Sequence, residues 1–579
     1  MNNLQKTINE NRGSVIHLDD KQYFLNETVI LNHIEKPLKI VGHNTTVTSG
    51  MILPNWIRRD NLFVHEAKGI PYTNMMYKNG QLIDRPHTEF IHSTGWELYK
   101  DDAFDFHLEK EHHGKKYYDG YLSTRTEMQS WANHQTLEFI YDAGWTHCVC
   151  PVESIEKVDE KTVFIKMVQP CFRDCQIKEG MQINSPNQIY NCREKLQEGQ
   201  WYFDQQNHEI IYMPFRDEEI TSLTFIIPTL ETLFMIENSH DISFEGITFQ
   251  YTSWIKPSVE GLPDGQANLC KNFDIRPDQM TEFRKPESAV KIRNSTRISF
   301  TDCRFLNLGC CAIDIQEGAK HVDISRCRFS NIAANGIMAS EFNFKCGHET
   351  DEKLITEHIT ISDNEFFQIG SQYKSGTAII AGYLRHSTIS HNIIHEVAYT
   401  GISLGWGWGF DDPNYKYSDL KHDRLTFGTF DDYPIMTDNH IDYNHIYHTM
   451  TKMHDGAAIY TLSMNQESSV KGNYVHDNGN FTGVPYPELF FFRRIPDLDN
   501  PVKTAIIERN SFPGGIYLDE GSGGFTVEDN VIARVACPLY YHYTGIKGVF
   551  ETNTYRNNFI SDEISQDALK IIEEAGVRI

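Results

Sequence analysis

The sequence predicts an all-β protein whose main body, from residue 229 to residue 560, is a right-handed parallel β-helix. Three observations support this fold class: short alternating strands recur, a polar corner follows each strand, and the spacing between corners is nearly constant. Asn364 and Asn392 are 28 residues apart, and Asn444 and Asn473 are 29 apart. Coils of that length bury a continuous core when they stack on one another.

Each repeat reads as an alternating strand, an Asn or Asp corner, an apolar residue and a Gly-containing turn, as in ISFTDCRFLNLG (298–309) and NHIDYNHIYHTM (439–450). Alternation with a period of two places one side of every strand against a shared interior. An antiparallel β-sandwich, the alternative, would show hairpin dipeptides such as Asn-Gly between strands, and these are missing between most units. The predicted corners are Asn364, Asn392, Asn444, Asn473, Asn530 and Asn557.

The chain divides into four predicted parts. Residues 1–51 read as opening coils, and the repeat then disappears over 52–228, which we interpret as an inserted β-rich domain. The repeat occupies 229–560. Residues 561–579 contain SQDALKIIEEAG, whose apolar residues recur at helical spacing, and we expect this helix to cap the open end of the solenoid.

Charge and hydropathy exclude several classes of partner. The formal net charge of −26 argues against nucleic acid and anionic lipid, which bind basic surfaces. No run of about 18 apolar residues is present, so no membrane span is predicted. The first residues show no apolar signal core, so a cytoplasmic location is expected, although a chain trimmed of its leader would look the same.

The twelve cysteines show no paired CxxC spacing with histidines downstream, so the sequence predicts no metal site and no cofactor. We expect reduced, buried thiols. Cys303 and Cys327 occupy matching repeat positions (DCRF and RCRF), which indicates interior cysteines stacked on one another.

Candidate chemistry lies beside the largest insertions, because long loops are often functional. The segments are YTGISLGWGWGFDD, MHDGAAIYTLS and GGIYLDEGSGG. Aligning them on Ile402, Ile459 and Ile516 places them in three consecutive coils on one face.

Two acids in these segments are candidates for catalysis of glycosidic hydrolysis, which needs a carboxyl group as proton donor and a second as base or nucleophile. They are Asp455, before its strand, and Asp519, after its strand. A bend at the Gly-rich strand ends must bring them together. Glu520 is the reserve, with its side chain expected on the opposite face from Asp519. Each Asp beside Gly is also typical of an ordinary turn.

Aromatic and histidine side chains complete the predicted site. Trp406 and Trp408 alternate with glycines, which would leave indole faces free to stack on a sugar ring; core packing is the alternative. His395 and His448 fit a structural row equally well. The remaining predicted substrate-binding residues are Tyr460, Tyr517, His395, His454, His476 and Arg493.

The motifs GISLGWGWG, DGAAIYTL and IYLDEGS resemble those of the β-helix enzymes of glycoside hydrolase family 141. The resemblance implies an α-L-fucosidase or xylanase type of activity on plant cell-wall glycans, with Asp455 and Asp519 as the catalytic acids. The sequence departs from the family pattern at Ala457, where a second glycine is expected. It also carries a long insertion at 479–513, which would favour exo-action on oligosaccharides.

Two other functions remain open at this stage. A lyase or epimerase of uronic-acid glycans would use a basic cluster, for which Lys471, Arg493 and Arg494 are available. The acidic composition disfavours such a substrate. A non-catalytic glycan-binding protein is the second alternative, since this kind of solenoid hosts several functions.

Overall fold

The computed structural model describes residues 3–19, 21–91, 98–112, 115–177, 182–271, 283–413, 430–478, 514–535, 537–542, 549–561 and 563–578. These residues belong to two compact units. The first is drawn from Met1–Thr48, Thr232–Gln250 and Ile275–Ile579, and the second from Ser49–Glu231 and Tyr251–Asp274. The second unit differs from the predicted insert (52–228) in also containing Tyr251–Asp274.

The first unit is a stack of coils, and each regular coil contributes one strand to each of three parallel sheets. The right hand of the coil stays a prediction. The strands of the first sheet, in spatial order, are Val29–Asn32, Phe234–Glu237, Ser288–Arg293, Cys311–Ile315, Ile337–Ala339, Ile379–Ala381, Ile402–Leu404, Ile459–Thr461, Ile516–Leu518 and Leu539–Tyr541.

The other two sheets share the long strands Leu38–Thr48 and His240–Thr252, which run through a corner. The second sheet also contains Val15–His17, Thr296–Thr301, Lys320–Ser325, Thr356–Ser362, Leu384–Arg385, Ser387–Ser390, Asn439–Asp442, Met464–Lys471, Gly523–Glu528 and Thr554–Arg556. The third contains Gln22–Phe24, Arg304–Leu308, Arg328–Ile332, Glu365–Ile369, Ile393–Val397, His445–Tyr447, Tyr474–His476, Val531–Ala533 and Phe559–Ile560.

A ladder of buried asparagines forms the corner between the second and third sheets. In each step the side-chain oxygen of one Asn accepts both the backbone and the side-chain N–H of the Asn before it; from Asn392 to Asn444 these distances are 3.0 and 2.9 Å. The ladder satisfies polar groups that the corner takes out of water. Its members are Asn364, Asn392, Asn444, Asn473, Asn530 and Asn558.

The prediction of Asn557 as the last corner was wrong by one residue. Asn557 is exposed and has a left-handed φ of 53°, whereas Asn558 is buried and bonded to Asn530. The residue before each ladder Asn takes the left-handed conformation; Asp363 (φ 58°) and Tyr443 (φ 55°) do so. The ladder Asn is therefore selected for its amide and not for its tolerance of a positive φ.

Stacked side chains fill the interior. The rings of Phe249, Phe305, Phe329 and Phe366 lie 4.5 to 4.9 Å apart between centroids and within 10° of parallel. This spacing equals the distance between neighbouring strands of a sheet. Parallel coils with the same residue at one position therefore place identical rings face to face.

Both termini of the chain pack on the stack. Helix Asn3–Glu10 satisfies the edge of the first sheet, because Gln5 accepts from the N–H of Ile30 (2.6 Å) and donates to its carbonyl (3.0 Å). After helix Gln566–Glu574, the N–H of Gly576 donates to the backbone carbonyl of Tyr443, and the guanidinium of Arg578 forms an ion pair with the carboxylate of Asp363. This C-terminal segment therefore contacts inner coils of the stack, and its role as a cap of the open end stays a prediction.

The second unit is built from antiparallel sheets. Its six-stranded sheet, in spatial order, comprises Phe104–His112, Lys115–Ser123, Val163–Met167, Thr146–Lys157, Glu138–Ala143 and Gln188–Tyr190. Two four-stranded sheets comprise Trp201–Asp204, Glu209–Tyr212, Leu62–Glu66 and Ile57–Arg59, and Gly50–Ile52, Phe225–Pro228, Met76–Lys78 and Gln81–Ile83. A further hairpin pairs Asp264–Gln266 with Leu269–Lys271.

The remaining helices are short. They are the α-helices Cys171–Ile177, Lys256–Val259 and Phe344–Gly347, and the 3₁₀ turns Thr126–Ser130, His134–Thr136, Arg193–Lys195, Ile220–Ser222 and Phe550–Thr552. None of the helices in the described part of the chain combines the length and apolarity that crossing a membrane requires.

Candidate active site

The predicted alignment of three coils is confirmed by the register of the first sheet. Ile402 pairs with Ile459, and Ile459 pairs with Ile516. A fourth strand, Leu539–Tyr541, follows and pairs with Ile516–Leu518. The middle residues of these strands are aligned in one row, in which Tyr460, Tyr517 and Tyr540 are consecutive.

Asp519 lies directly after the strand Ile516–Leu518 and is held by three side chains. Its exposed fraction is 6%. The hydroxyl of Tyr460 donates to Oδ2 (2.5 Å), and the hydroxyl of Tyr517 donates to Oδ1 (2.9 Å). His542 Nδ1 lies 2.8 Å from Oδ1. These contacts leave the carboxylate little rotational freedom.

The surroundings of Asp519 favour its charged form. Burial acts to raise the pKa of Asp519, but the hydrogen bond and charge of His542, together with the Tyr460 hydroxyl, outweigh it and hold this pKa below its ordinary value. Burial acts to lower the pKa of His542, yet the contact with Asp519 raises it to about 9. Near neutral pH the two form an ion pair.

Asp455 precedes its strand, whereas Asp519 follows its own, and a turn of the backbone brings Asp455 towards Asp519. Its backbone is left-handed (φ 58°), and the next residue, Gly456, packs so closely that a Cβ there would lie 2.4 Å from the hydroxyl of Thr400. The backbone carbonyl of Asp455 accepts from the hydroxyl of Tyr399 (2.9 Å). This turn is the bend that brings Asp455 back towards Asp519.

The Asp455 carboxyl group is partly buried and favours its neutral form. Burial raises the pKa of Asp455 to about 8, and the negative charge of Asp519 adds to the effect. The hydroxyl of Tyr517 is 3.4 Å from Asp455 Oδ1 and 2.9 Å from Asp519 Oδ1. These two oxygens therefore lie at most 6.3 Å apart, the sum of the two distances. One carboxyl therefore favours its neutral form and the other its charged form, which is the pairing that glycosidic hydrolysis requires.

Glu520 does not face away from Asp519 as the sequence predicted. Its Oε1 lies 3.9 Å from His542 Nδ1, so both acids are on the His542 side. The strand ends at Leu518, and the alternation of side chains does not continue into the turn that follows.

Trp406 is a core residue and offers no face to a sugar. It is fully buried, and its ring centroid lies 5.0 Å from Phe283, 5.1 Å from Phe342 and 4.7 Å from Trp408. The glycines on either side of it allow the backbone to approach its neighbours. For Trp406 the structure thus shows core packing, which was the alternative to a sugar-stacking face.

Trp408 is partly exposed and stays a candidate for substrate contact. Its loop is fixed beside the acids, because the N–H of Gly409 donates to Ser463 (2.7 Å). A Cβ on Gly521 would lie 2.6 Å from the Gly409 backbone. The loop therefore packs against the turn that follows Asp519.

The predicted histidines separate into two groups. His395 and His476 stack on either side of Tyr447 on the third sheet, with centroid distances of 4.9 and 5.0 Å, and the structure does not bring them to the acids. His454 adjoins Asp455 and is buried, which lowers its pKa to about 4. Arg493 lies outside the described residues.

The predicted role of Tyr460 and Tyr517 changes in the structure. Both are buried and use their hydroxyls to hold Asp519, instead of offering ring faces to a groove. Sequence reasoning missed His542 altogether. A signal was present: LYYH (539–542) continues the row of IYLD (516–519), and the residue after Tyr541 therefore falls beside the residue after Leu518.

The structure shows no set of metal ligands among the described residues around the acids. Within the described part of the chain, the group with metal-ligand geometry is Cys150, Cys171 and Cys175, in the second unit. The sequence analysis did not predict this cluster.

The fold is similar to that of solved proteins. A structure described as a glycoside hydrolase matches with a TM-score of 0.72 at 21% identity, over 99% of this chain and 93% of that chain. The complex of XylC with xylose matches with a TM-score of 0.42 at 11% identity, over 96% and 82%. No protein-family profile and no curated protein sequence matches the chain. The chain therefore shares its overall fold with a solved glycoside hydrolase.

Proposed function

We propose that the protein is a glycoside hydrolase in which Asp455 is the general acid and Asp519 the nucleophile. The observation that carries this proposal is the shared contact with Tyr517 of two carboxyl groups with opposite protonation preferences. The fold, which is that of a solved glycoside hydrolase, supports it.

In the first step Asp455 gives its proton to the leaving glycosidic oxygen, while Asp519 forms a bond to the anomeric carbon. In the second step ionised Asp455 takes a proton from water, which displaces Asp519. We propose a nucleophile instead of a water-activating base because one hydroxyl, that of Tyr517, contacts both carboxyl groups and so keeps them close together. Retaining enzymes separate their carboxyl groups by about 5–5.5 Å, and inverting enzymes by about 6.5–9.5 Å. The Tyr460 and Tyr517 hydroxyls orient Asp519 for attack.

For the substrate we propose short neutral oligosaccharides from plant cell walls, cleaved from one end at a fucosyl or xylosyl residue. The resemblance of GISLGWGWG, DGAAIYTL and IYLDEGS to glycoside hydrolase family 141 supports this class. The net charge of −26 disfavours a polyanionic chain.

A uronate lyase or epimerase is less well supported. Such an enzyme needs a cation to neutralise the uronate, and the cation beside the acids in the described part of the chain, His542, is paired with Asp519. Lys471 pairs with Glu528 in the second sheet (2.9 Å). Arg493 and Arg494 lie outside the described residues.

The test is a panel of aryl glycosides and plant oligosaccharides assayed with the wild type, Asp455→Asn and Asp519→Asn. Asp302→Asn, which removes an exposed carboxylate paired with Arg326, is the control. We expect release of a monosaccharide by the wild type and the control, and a loss of about 10³-fold or more in both site variants. An unsaturated uronate product, detected by its ultraviolet absorbance, would replace the proposal with a lyase.

A further inference from the structure

Three cysteine sulphurs form a closed triangle in the core of the second unit. Cys150 Sγ lies 3.8 Å from Cys171 Sγ and 3.6 Å from Cys175 Sγ, and the third side of the triangle is 4.0 Å. Cys150 is on the strand Thr146–Lys157, and the other two are one turn apart on the helix Cys171–Ile177. All three are buried.

These distances match a metal–thiolate site. Sulphurs placed tetrahedrally around Zn²⁺ at about 2.3 Å lie about 3.8 Å from each other. The three sulphur–sulphur distances, 3.6, 3.8 and 4.0 Å, are centred on that value. A fourth sulphur is at hand, because Cys148 is two residues before Cys150 on the same face of the strand and interacts with Cys175.

Two members of the triangle, Cys150 and Cys175, differ in their contacts from another thiol of the same core. Cys192 donates to the carbonyl of Ile189 (3.2 Å), which is the usual way to satisfy a buried thiol, and Cys171 of the triangle likewise donates to the carbonyl of Val149 (3.4 Å). In the described part of the chain, the hydrogen-bond partners of Cys150 and Cys175 are sulphurs alone. Sulphur is a weak acceptor, so packing gives little reason to gather these thiols.

We propose that Cys150, Cys171 and Cys175 bind Zn²⁺ as thiolates and that Cys148 turns in as the fourth ligand. Four sulphurs fill a tetrahedral ion and leave no position for substrate, so the site is structural. A divalent ion also offsets more of the buried thiolate charge than a univalent one such as Cu⁺. The ion ties the helix to the central strand of its sheet.

The first test measures metal in the full chain purified under reducing conditions. We expect one Zn²⁺ per chain by elemental analysis. After removal of zinc, titration with Co²⁺ should give thiolate-to-metal charge-transfer absorption and the visible bands of a tetrahedral ion. A strong chelator should lower the midpoint of thermal unfolding, because bound metal stabilises the folded state by mass action.

Variants locate the ligands. Cys171→Ser and Cys175→Ser should lower the metal content at least tenfold, whereas Cys192→Ser, a buried thiol of the same core, should leave it unchanged. Cys148→Ser should keep the ion with weaker affinity and an altered Co²⁺ spectrum. If a ligand variant fails to fold, the Co²⁺ spectrum of the wild type alone decides whether the cluster binds a metal ion through thiolates.

Two results would overturn the inference. Folded, fully reduced wild type that holds no zinc and gives no charge-transfer band with Co²⁺ contains only packed thiols. A disulfide between Cys150 and Cys175 in the freshly purified chain, found by mass spectrometry of unreduced peptides, would assign the cluster to redox chemistry.

Discussion

His542 Nδ1 lies 2.8 Å from Asp519 Oδ1, although 23 residues separate the two in the chain. The contact joins neighbouring coils through the register of the first sheet. The imidazolium of His542 is a cation that keeps Asp519 ionised although a second acid, Asp455, is close by. The charge state of Asp519 therefore depends on a residue from the next coil.

Replacing His542 should weaken catalysis by changing the ionisation of Asp519. In His542→Gln the charged partner is lost, so the pKa of Asp519 should rise and the acidic limb of the kcat/KM–pH profile should move to higher pH. Loss of a hydrogen bond to a charged group costs about 1.5–3 kcal/mol, or about 10–100-fold in rate. His395→Gln, on the third sheet, is the control. If the acidic limb does not move in His542→Gln, His542 does not keep Asp519 ionised.

Activity should fall on the alkaline side as pH rises through about 8. The pKa of Asp455 is raised to about 8, so this group is protonated and able to donate below that value and loses its proton above it. Measuring kcat/KM from acid to alkaline pH on a natural linkage checks this. A substrate whose leaving group needs no proton should show a weaker decline. If the alkaline limb is unchanged in Asp455→Asn, Asp455 is not the general acid.

The stereochemistry of the product should be retention. One hydroxyl, that of Tyr517, contacts an oxygen of each carboxyl group at 3.4 and 2.9 Å, and closely spaced carboxyl groups are typical of retaining enzymes. Proton nuclear magnetic resonance of the first-formed sugar, recorded before mutarotation, distinguishes the anomers. Inversion would make Asp519 a base instead of a nucleophile.

Truncating a ladder asparagine should destabilise the fold. Asn444→Ala removes the acceptor for two N–H groups of Asn392 and leaves them buried without it, at a cost of about 2–4 kcal/mol in the free energy of unfolding. Asn557→Ala is the matched control: the residue is exposed, and only its left-handed conformation is strained, by about 1–2 kcal/mol. Denaturant unfolding monitored by circular dichroism measures both. An unchanged free energy of unfolding in Asn444→Ala would show that the ladder contributes nothing.

The sequence predicts this architecture well where a residue repeats with the coil. The corner spacing and the alignment of Ile402, Ile459 and Ile516 depend only on alternation and period, which local sequence carries. The position of the last corner was wrong by one residue because Asn557 and Asn558 are adjacent. Only the hydrogen bonds distinguish the left-handed residue from the buried one.

The candidate site was harder to predict because its parts follow from where strands end. Glu520 faces His542 since the strand stops at Leu518, and the sequence does not mark that end. Trp406 is buried by Phe283 and Phe342, which are distant in the chain. To predict His542 from the sequence, the alignment of the coils had to be extended by one more coil.

The asparagine ladder has a consequence for how such a chain tolerates insertions. Asn392 and Asn444 are bonded although 52 residues separate them, and Asn473 and Asn530 although 57 do, against 28 or 29 in regular coils. Extra residues are thus accommodated in the chain between rungs without disturbing the hydrogen bonds of the rungs themselves. The chain between two rungs can therefore be lengthened or shortened while the rungs keep their register, so insertions can vary without redesign of the core.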